Sequence, residues 1–178
     1  MNLQQLIKPN LILAKPIWYL TADLIANYGL SGLILDVDDT LLGNDDREVS
    51  PAVRNWLDET RKICKIYLVS NNFSNSRIQA IATNLDLPYR SRAAKPSRRV
   101  VREALAAMEL PCNQVGMVGD RILTDTIVGN RLGMFTILIQ PPNQGKETSW
   151  LGGRSQIFRD WENWLMQKSG INKSGINI

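Results

Sequence analysis

Short apolar blocks closed by polar residues recur along this chain, and between them apolar residues return at helical spacing. Leu33 to Val37 is apolar apart from Asp36, the pattern of a strand buried on both faces. Lys65–Val69, Val115–Val118 and Met134–Ile139 read the same way, with a shorter extended piece near Tyr89. Between these blocks Ser50 caps a helix whose first position is Pro51 and which runs to about Lys62. Further helices are expected over 74–85, from a Ser97 cap to about Glu109, and from about Thr124 to a stop at Gly133. Strands alternating with helices imply right-handed β-α-β units, here an α/β fold with a parallel sheet of about five strands and helices on both faces. Ligands in such sheets bind at the carboxyl ends of the strands, where Asp36, Ser70 and Asp120 all fall.

The two ends of the chain carry different signals. Leu11-Ile12-Leu13 and Ile17-Trp18-Tyr19-Leu20 are apolar, but Lys15, Pro16 and Asp23 interrupt them, so the region is too short and polar to span a bilayer. It also lacks the uninterrupted core of a signal peptide. From Pro16, the spacing of Ile17, Leu20, Leu24 and Tyr28 predicts one amphipathic helix ended by Gly29. Such a helix packs on the sheet edge; alternatively it anchors at an interface, with Trp18 and Tyr19 at headgroup depth. Past Pro141-Pro142, a helix is expected around Ile157 to Met166, carrying Trp161 and Trp164, before a tandem Lys-Ser-Gly-Ile-Asn repeat that reads as a tail. The expected division is an N-terminal segment over 1–30, a domain over 31–166 and a tail over 167–178.

Composition narrows the chemistry. The 178 residues include no histidine, which removes His-based triads, His-ligated zinc and His phosphotransfer together. The net charge of +4 favours an anionic substrate or surface and is too small to argue for nucleic acid, so no nucleic-acid partner is expected. Cys64 and Cys112 have no C-x-x-C neighbour, so neither a zinc site nor a disulfide framework is indicated and a reducing compartment is the simpler setting.

What remains is carboxylates, hydroxyls, amines and metal. In an extended chain residues i and i+2 point the same way, so Asp36 and Asp38 should project together from the end of their strand. Two like charges that close call for a cation or a shared proton. Taken singly, Ser70-Asn71 reads as a turn, Lys95-Pro96 as a solvated lysine before a helix, and Asp125 as an acid in a first helical turn. Taken together, in this order and at these strand ends, they describe a site.

Asp36-Val-Asp38-Asp-Thr40, Ser70-Asn71, Lys95-Pro96 and Gly119-Asp120-Arg-Ile-Leu-Thr-Asp125 resemble, motif by motif, the haloacid dehalogenase-like phosphohydrolases. Val118 to Asp125, followed by Gly129-Asn-Arg-Leu-Gly-Met134, is similar in particular to the YqeG-like subfamily, which includes phosphatidylglycerophosphate phosphatases. Asp39 is a departure, since that subfamily more often has Asn there. The resemblance implies a Rossmann-like fold and an Mg²⁺-dependent phosphatase. Asp36 is then the nucleophile, Asp38 the acid and base, and Ser70 and Lys95 balance charge on the transferred group. It implies Mg²⁺ held by Asp36, Asp38 (through its main-chain carbonyl) and Asp120, with Asp125 supporting that shell or orienting Lys95. Substrate contacts are expected from Thr40, Asn71, Arg92 and Arg98.

The spacing between motifs leaves no room for an inserted cap domain, and an open site fits a phosphoryl group carried on something large. The expected partner is therefore a phosphorylated substrate, an anionic phospholipid headgroup foremost, met by a cytoplasmic chain in peripheral contact with the inner face of a membrane. Arg90, Arg92, Lys95, Arg98, Arg99 and Arg102 would favour such a headgroup, or simply form a solvated helix face. A soluble phosphomonoester or phosphoprotein is the alternative substrate. A receiver-like regulatory module is the alternative class, although receivers place their acid pair and phosphoacceptor on different strands.

Overall fold

Apolar blocks that can bury both faces become neighbouring strands of one sheet. A computed structural model describes residues 2–43, 46 and 48–142. Its strands are β1 (Leu11–Ile12), β2 (Gly32–Leu35), β3 (Lys65–Val69), β4 (Tyr89–Arg90), β5 (Val115–Gly119) and β6 (Phe135–Leu138). All pair in parallel, in the order β1-β6-β5-β2-β3-β4. The helices are α1 (Leu3–Ile7), α2 (Ala22–Asn27), α3 (Pro51–Thr60), α4 (Asn75–Leu85), α5 (Arg99–Met108) and α6 (Ile127–Leu132). Alternate residues of β2 serve opposite layers: Leu33 and Leu35 pack with α2, α3 and α4, while Ile34 packs with α5 and α6. From β2 the chain winds outward in both directions, so the crevice at its carboxyl end is where a ligand site belongs.

The sheet has one strand more than the apolar pattern indicated. β1 is two residues long and its register is fixed by side chains rather than by its own pattern. Asn10 Oδ1 accepts from the Thr136 amide (2.8 Å) and hydroxyl (2.9 Å), laying β1 along β6. Asn130 Nδ2 donates to the carbonyls of Gln5 (3.1 Å), Leu6 (2.8 Å) and Lys8 (2.9 Å), which ties α1 to α6.

Ser50 caps α3 as expected, its hydroxyl accepting from the Val53 amide at 3.3 Å. Ser97 does not cap α5. It closes a turn by donating its amide to the Ala94 carbonyl (2.9 Å), and the helix starts at Arg99. The helix expected from about Thr124 is instead a wide π turn over Ile122–Thr126 followed by α6. The expected helix around 157–166 and the tail over 167–178 lie outside the described residues.

The N-terminal amphipathic stretch departs most from expectation. It is not one helix but a 3-10 turn over Ile17–Tyr19, a break at Leu20, and then α2, with the Thr21 hydroxyl accepting from the Leu24 amide at 3.3 Å. Gly29 stops α2 in the left-handed region at φ +63°, as expected. Trp56 Nε1 donates to the Leu20 carbonyl at 2.7 Å, holding the break in the core. Ile17, Leu20 and Ile25 are buried in the layer formed with α3 and α4. Of the face proposed as an interfacial anchor, Ile17, Leu20 and Ile25 thus turn inward, Trp18 is partly buried, and Tyr19 and Tyr28 stay exposed.

This burial has a measurable consequence. Leu20→Ala should lose about 2–5 kcal/mol, and Trp56→Phe, which leaves the Leu20 carbonyl without its donor, about 1–3 kcal/mol. Urea unfolding measures both. A change in Leu20→Ala within about 0.5 kcal/mol, the usual size for a surface position, would contradict the inward packing.

Candidate active site

β2 delivers Asp36 to the crevice, where its amide continues the pairing with β5 by donating to the Val118 carbonyl at 2.9 Å. Beyond it the chain turns sharply, with Asp39 at φ +61° and the Leu41 amide bonded back to the Val37 carbonyl (3.0 Å). Leu41 and Leu42 enter the core and fix the turn from below. Asp36 and Asp38 line one cavity of about 190 Å³ with Asn71, Asn72, Lys95, Arg121 and Thr124.

The two acids have different partners. Lys95 Nζ lies 2.7 Å from Asp36 Oδ1, 2.7 Å from Asp125 Oδ1 and 3.0 Å from the Val69 carbonyl, with its side chain 1% exposed. Asn71 clamps the Lys95 backbone in both senses, accepting from its amide at 2.7 Å and donating to its carbonyl at 3.1 Å. Asp38 is held by the Arg77 guanidinium, by Asn72 Nδ2 at 3.1 Å and by the Ser70 hydroxyl at 3.3 Å. That hydroxyl in turn accepts from the Asn72 amide at 2.9 Å.

Asp120 follows β5, and Asp125 arrives from the π turn, its Oδ2 accepting from the Arg121 amide at 3.3 Å. A Cβ on Gly119 would overlap the Asp125 carboxylate, so the motif needs glycine there to bring that acid against the strand. Asp36, Asp120 and Asp125 each offer a carboxylate oxygen, all within 4.8 Å of one another.

Burying three acids so close together is costly unless a proton or cation intervenes. Burial pushes the Asp36 carboxyl up to about 7; Lys95 pulls it back, while Asp125 and Asp38 add to the rise. Asp120 is raised well above the ordinary carboxylate range by burial and then by Asp36. Burial opposes the charge on Lys95, but Asp125 and Asp36 outweigh it and hold the ammonium above its ordinary value. Lys95 and Arg121, the latter 3.8 Å from Asp120 and 3.7 Å from Asp39, are two cations set against four acids. An all-carboxylate set of this kind suits a hard divalent cation, and Asp36, Asp120 and Asp125 are the residues placed to hold it.

The structure brings together Asp36, Asp38, Asn71, Lys95, Asp120 and Asp125, with Ser70 behind Asp38. The Asp38 carboxylate, expected as acid and base and not as a metal ligand, stands apart from the acid trio, held by Arg77, Asn72 and Ser70. The structure separates three expectations from that group. Thr40 is fully buried by the turn at Asp39 and does not line the cavity. Arg92, at φ +51°, points along the outer surface, where its Nε donates to the Phe73 carbonyl at 3.2 Å. Arg98 lines a different cavity with Ser97, Arg99, Arg102, Glu103 and Arg131.

Sequence reasoning passed over Asn72, Arg77, Arg121 and Thr124. Asn72 and Arg121 adjoin recognised motifs and were findable on that ground. Arg77 sits in the first turn of α4 and meets Asp38 only through the fold.

Known proteins give an independent comparison. The HAD-hydrolase-like family matches residues 92–148. The probable phosphatase YqeG of Bacillus subtilis (strain 168) is 32% identical over 128 residues, covering 71% of this chain and 74% of that protein. The chloroplastic/mitochondrial phosphatidylglycerophosphate phosphatase 1 of Arabidopsis thaliana is 22% identical over 153 residues, covering 81% of this chain; the match spans 44% of that longer protein. A HAD family enzyme of Bacteroides thetaiotaomicron, crystallised as a magnesium complex, superposes with a TM-score of 0.54 at 10% identity over 66% of this chain and 97% of its own.

Lys95→Met would leave Asp36 and Asp125 buried without their cation, at a cost of about 3–5 kcal/mol when they are ionised. The sign of its pH dependence follows from Asp36, whose carboxyl rises from an ordinary 3.8 to about 7 on folding. The folded chain binds that proton more tightly, so its contribution is present at low pH and is lost as pH rises through about 7. Urea unfolding in chelator should therefore show a larger loss for Lys95→Met at about pH 8 than at about pH 5.5. Equal losses at both would contradict the ion pair.

Proposed function

The chain belongs to the haloacid dehalogenase-like hydrolases as a phosphatase of the YqeG family, and from that membership we propose that it hydrolyses phosphatidylglycerophosphate to phosphatidylglycerol through an aspartyl-phosphate on Asp36. The observation that carries the mechanism is a cavity walled by two carboxylates with opposite supports. Asp36 is fixed by Lys95, and Asp38 faces it from the Arg77 side.

Asp36 Oδ1 is engaged by Lys95, which leaves Oδ2 to attack phosphorus. A bond forms between Asp36 and the phosphoryl group as the ester P–O bond breaks, and Asp38 donates its proton to the departing alkoxide. Water then attacks the acyl phosphate, Asp38 takes its proton back, and inorganic phosphate leaves with Asp36 restored. Lys95 and Asn71, which line the cavity, balance the charge of the transferring group, while Ser70 acts through Asp38. Arg77, Asn72 and Ser70 orient Asp38. Mg²⁺ held by Asp36, Asp120 and Asp125 would neutralise charge on the phosphoryl oxygens.

The lipid substrate rests on two supports. The Arabidopsis relative carries that activity in its name. The cavity, at about 190 Å³, is also smaller than the roughly 300–1,000 Å³ of sites that enclose a small molecule. Such a cavity takes the phosphoryl group and leaves the body of the substrate outside, as a headgroup at a surface requires. The same openness admits a phosphoprotein, so a substrate panel makes the choice.

Detergent-dispersed phosphatidylglycerophosphate should be turned over at least tenfold more efficiently than soluble phosphomonoesters, a margin of about 1.4 kcal/mol in transition-state binding. The opposite preference would reassign the substrate. Asp36→Asn should fold and lose activity by roughly a thousandfold or more, because no other nucleophile is aligned. Chelation should abolish turnover and Mg²⁺ restore it, with Asp120→Ala shifting the Mg²⁺ requirement to higher concentration. Full turnover in excess chelator would exclude the metal.

A further inference from the structure

The aliphatic side chains of the expected membrane anchor are buried, and a more exposed apolar group stands beside the cavity mouth. Phe73 is 81% exposed, more than any other large apolar side chain among the described residues. It follows Asn71 and Asn72, which both line the cavity. Its backbone is pinned from several sides. The Phe73 carbonyl accepts from Arg92 Nε (3.2 Å) and the Asn75 amide (3.0 Å), the Asn72 carbonyl accepts from the Arg92 amide (3.2 Å), and Asn72 Oδ1 accepts from the Ser74 amide (2.9 Å). These bonds fix the backbone that carries the ring, and the ring itself stands in water.

The surface continues from Phe73 into a basic field. Arg92 holds the Phe73 loop, and Arg90, two residues earlier on the edge strand β4, reaches Glu103 at 3.7 Å. Glu103 also meets Arg99 at 3.6 Å and borders, with Arg98, Arg102 and Arg131, a cavity of about 690 Å³. Arg98 and Arg102 have no carboxylate partner among the described residues. Among the described residues, Glu103 is the one acid lining or paired along this edge, against six arginines (90, 92, 98, 99, 102 and 131). Lys95 at the floor of the active site is three residues from Arg98, so a single turn joins the two cavities.

We propose that this edge, from Phe73 through Arg92 to the arginine-lined cavity at the start of α5, docks the enzyme on an anionic lipid bilayer, with Phe73 inserted at the interface. An exposed ring on a rigid loop gains by entering the headgroup region, and unpaired guanidinium groups gain from anionic lipid. The arrangement sets the cavity mouth against the surface, so a headgroup reaches Asp36 without extraction of the lipid. The inference rests on the lipid reading of the substrate for its purpose, while its test is separate from that reading.

The test is co-sedimentation of the full chain with vesicles of phosphatidylcholine alone or mixed with phosphatidylglycerol, at low and high salt. The native chain should bind the anionic vesicles at low salt, release at high salt, and ignore phosphatidylcholine. Phe73→Ser should bind roughly tenfold more weakly and Arg102→Gln roughly fivefold more weakly, both with unchanged turnover of a water-soluble phosphomonoester. No vesicle binding by the native chain, or native binding by both variants, would overturn the surface. Retention of single-stranded nucleic acid in place of vesicles would also overturn it, reassigning the edge to a polyanion. Vesicle binding through Phe73 without hydrolysis of phosphatidylglycerophosphate would retire the substrate and keep the surface. Hydrolysis of the detergent-dispersed lipid without vesicle binding would do the reverse.

Discussion

The Lys95 ammonium, sealed between Asp36 and Asp125, is the contact on which the rest of this site depends. It joins three segments that the chain visits far apart: the end of β2, the loop before α5 and the π turn after β5. Asn71, at the end of β3, fixes the lysine backbone and so brings a fourth segment into the same arrangement. A buried pair of this kind adds little net stability, because the desolvation of its ions is large. Its value lies in geometry. With Oδ1 of Asp36 occupied, the carboxylate has one orientation, as its proposed role of nucleophile requires.

The parallel sheet makes that contact possible. Because β2 is the strand from which the order runs outward in both directions, its end is flanked by the ends of β3 and β5. Three loops therefore converge without any strand lengthening. Gly119 lets Asp125 press against β5, and the π turn supplies the extra backbone that returns Asp125 over the strand end. The opposed supports of Asp36 and Asp38 follow from the same crossing. One acid faces the α5 side and meets lysine, and the other faces α4 and meets Arg77.

How much of this was legible in the sequence depended on whether the signal was local. Asp36, Ser70, Lys95 and Asp120 were visible because each sits at the end of an apolar block or inside a short motif. The Ser50 cap was visible for the same reason. Leu20 was not, since an amphipathic face has the same periodicity whether it meets a core or a membrane; Trp56, 36 positions on, decides the matter. β1 carries too few residues to show a period, and its pairing comes from Asn10 and Thr136, 126 positions apart. Arg77 has no local mark at all. Arg92 and Arg98 were assigned from charge and nearness to Lys95 in sequence, but backbone direction, not nearness, sends them to the outer edge.

The central claim is that Asp36 carries the phosphoryl group as a short-lived acyl phosphate within a turnover cycle. Rapid acid quenching during hydrolysis, followed by borohydride reduction and peptide mass spectrometry, reads this directly. The account predicts the reduced product at position 36 alone, forming and decaying at rates no slower than steady-state turnover. A modification at another residue, none under single-turnover conditions, or a phospho-Asp36 that outlasts many turnovers would contradict it, the last pointing to a receiver-like module instead.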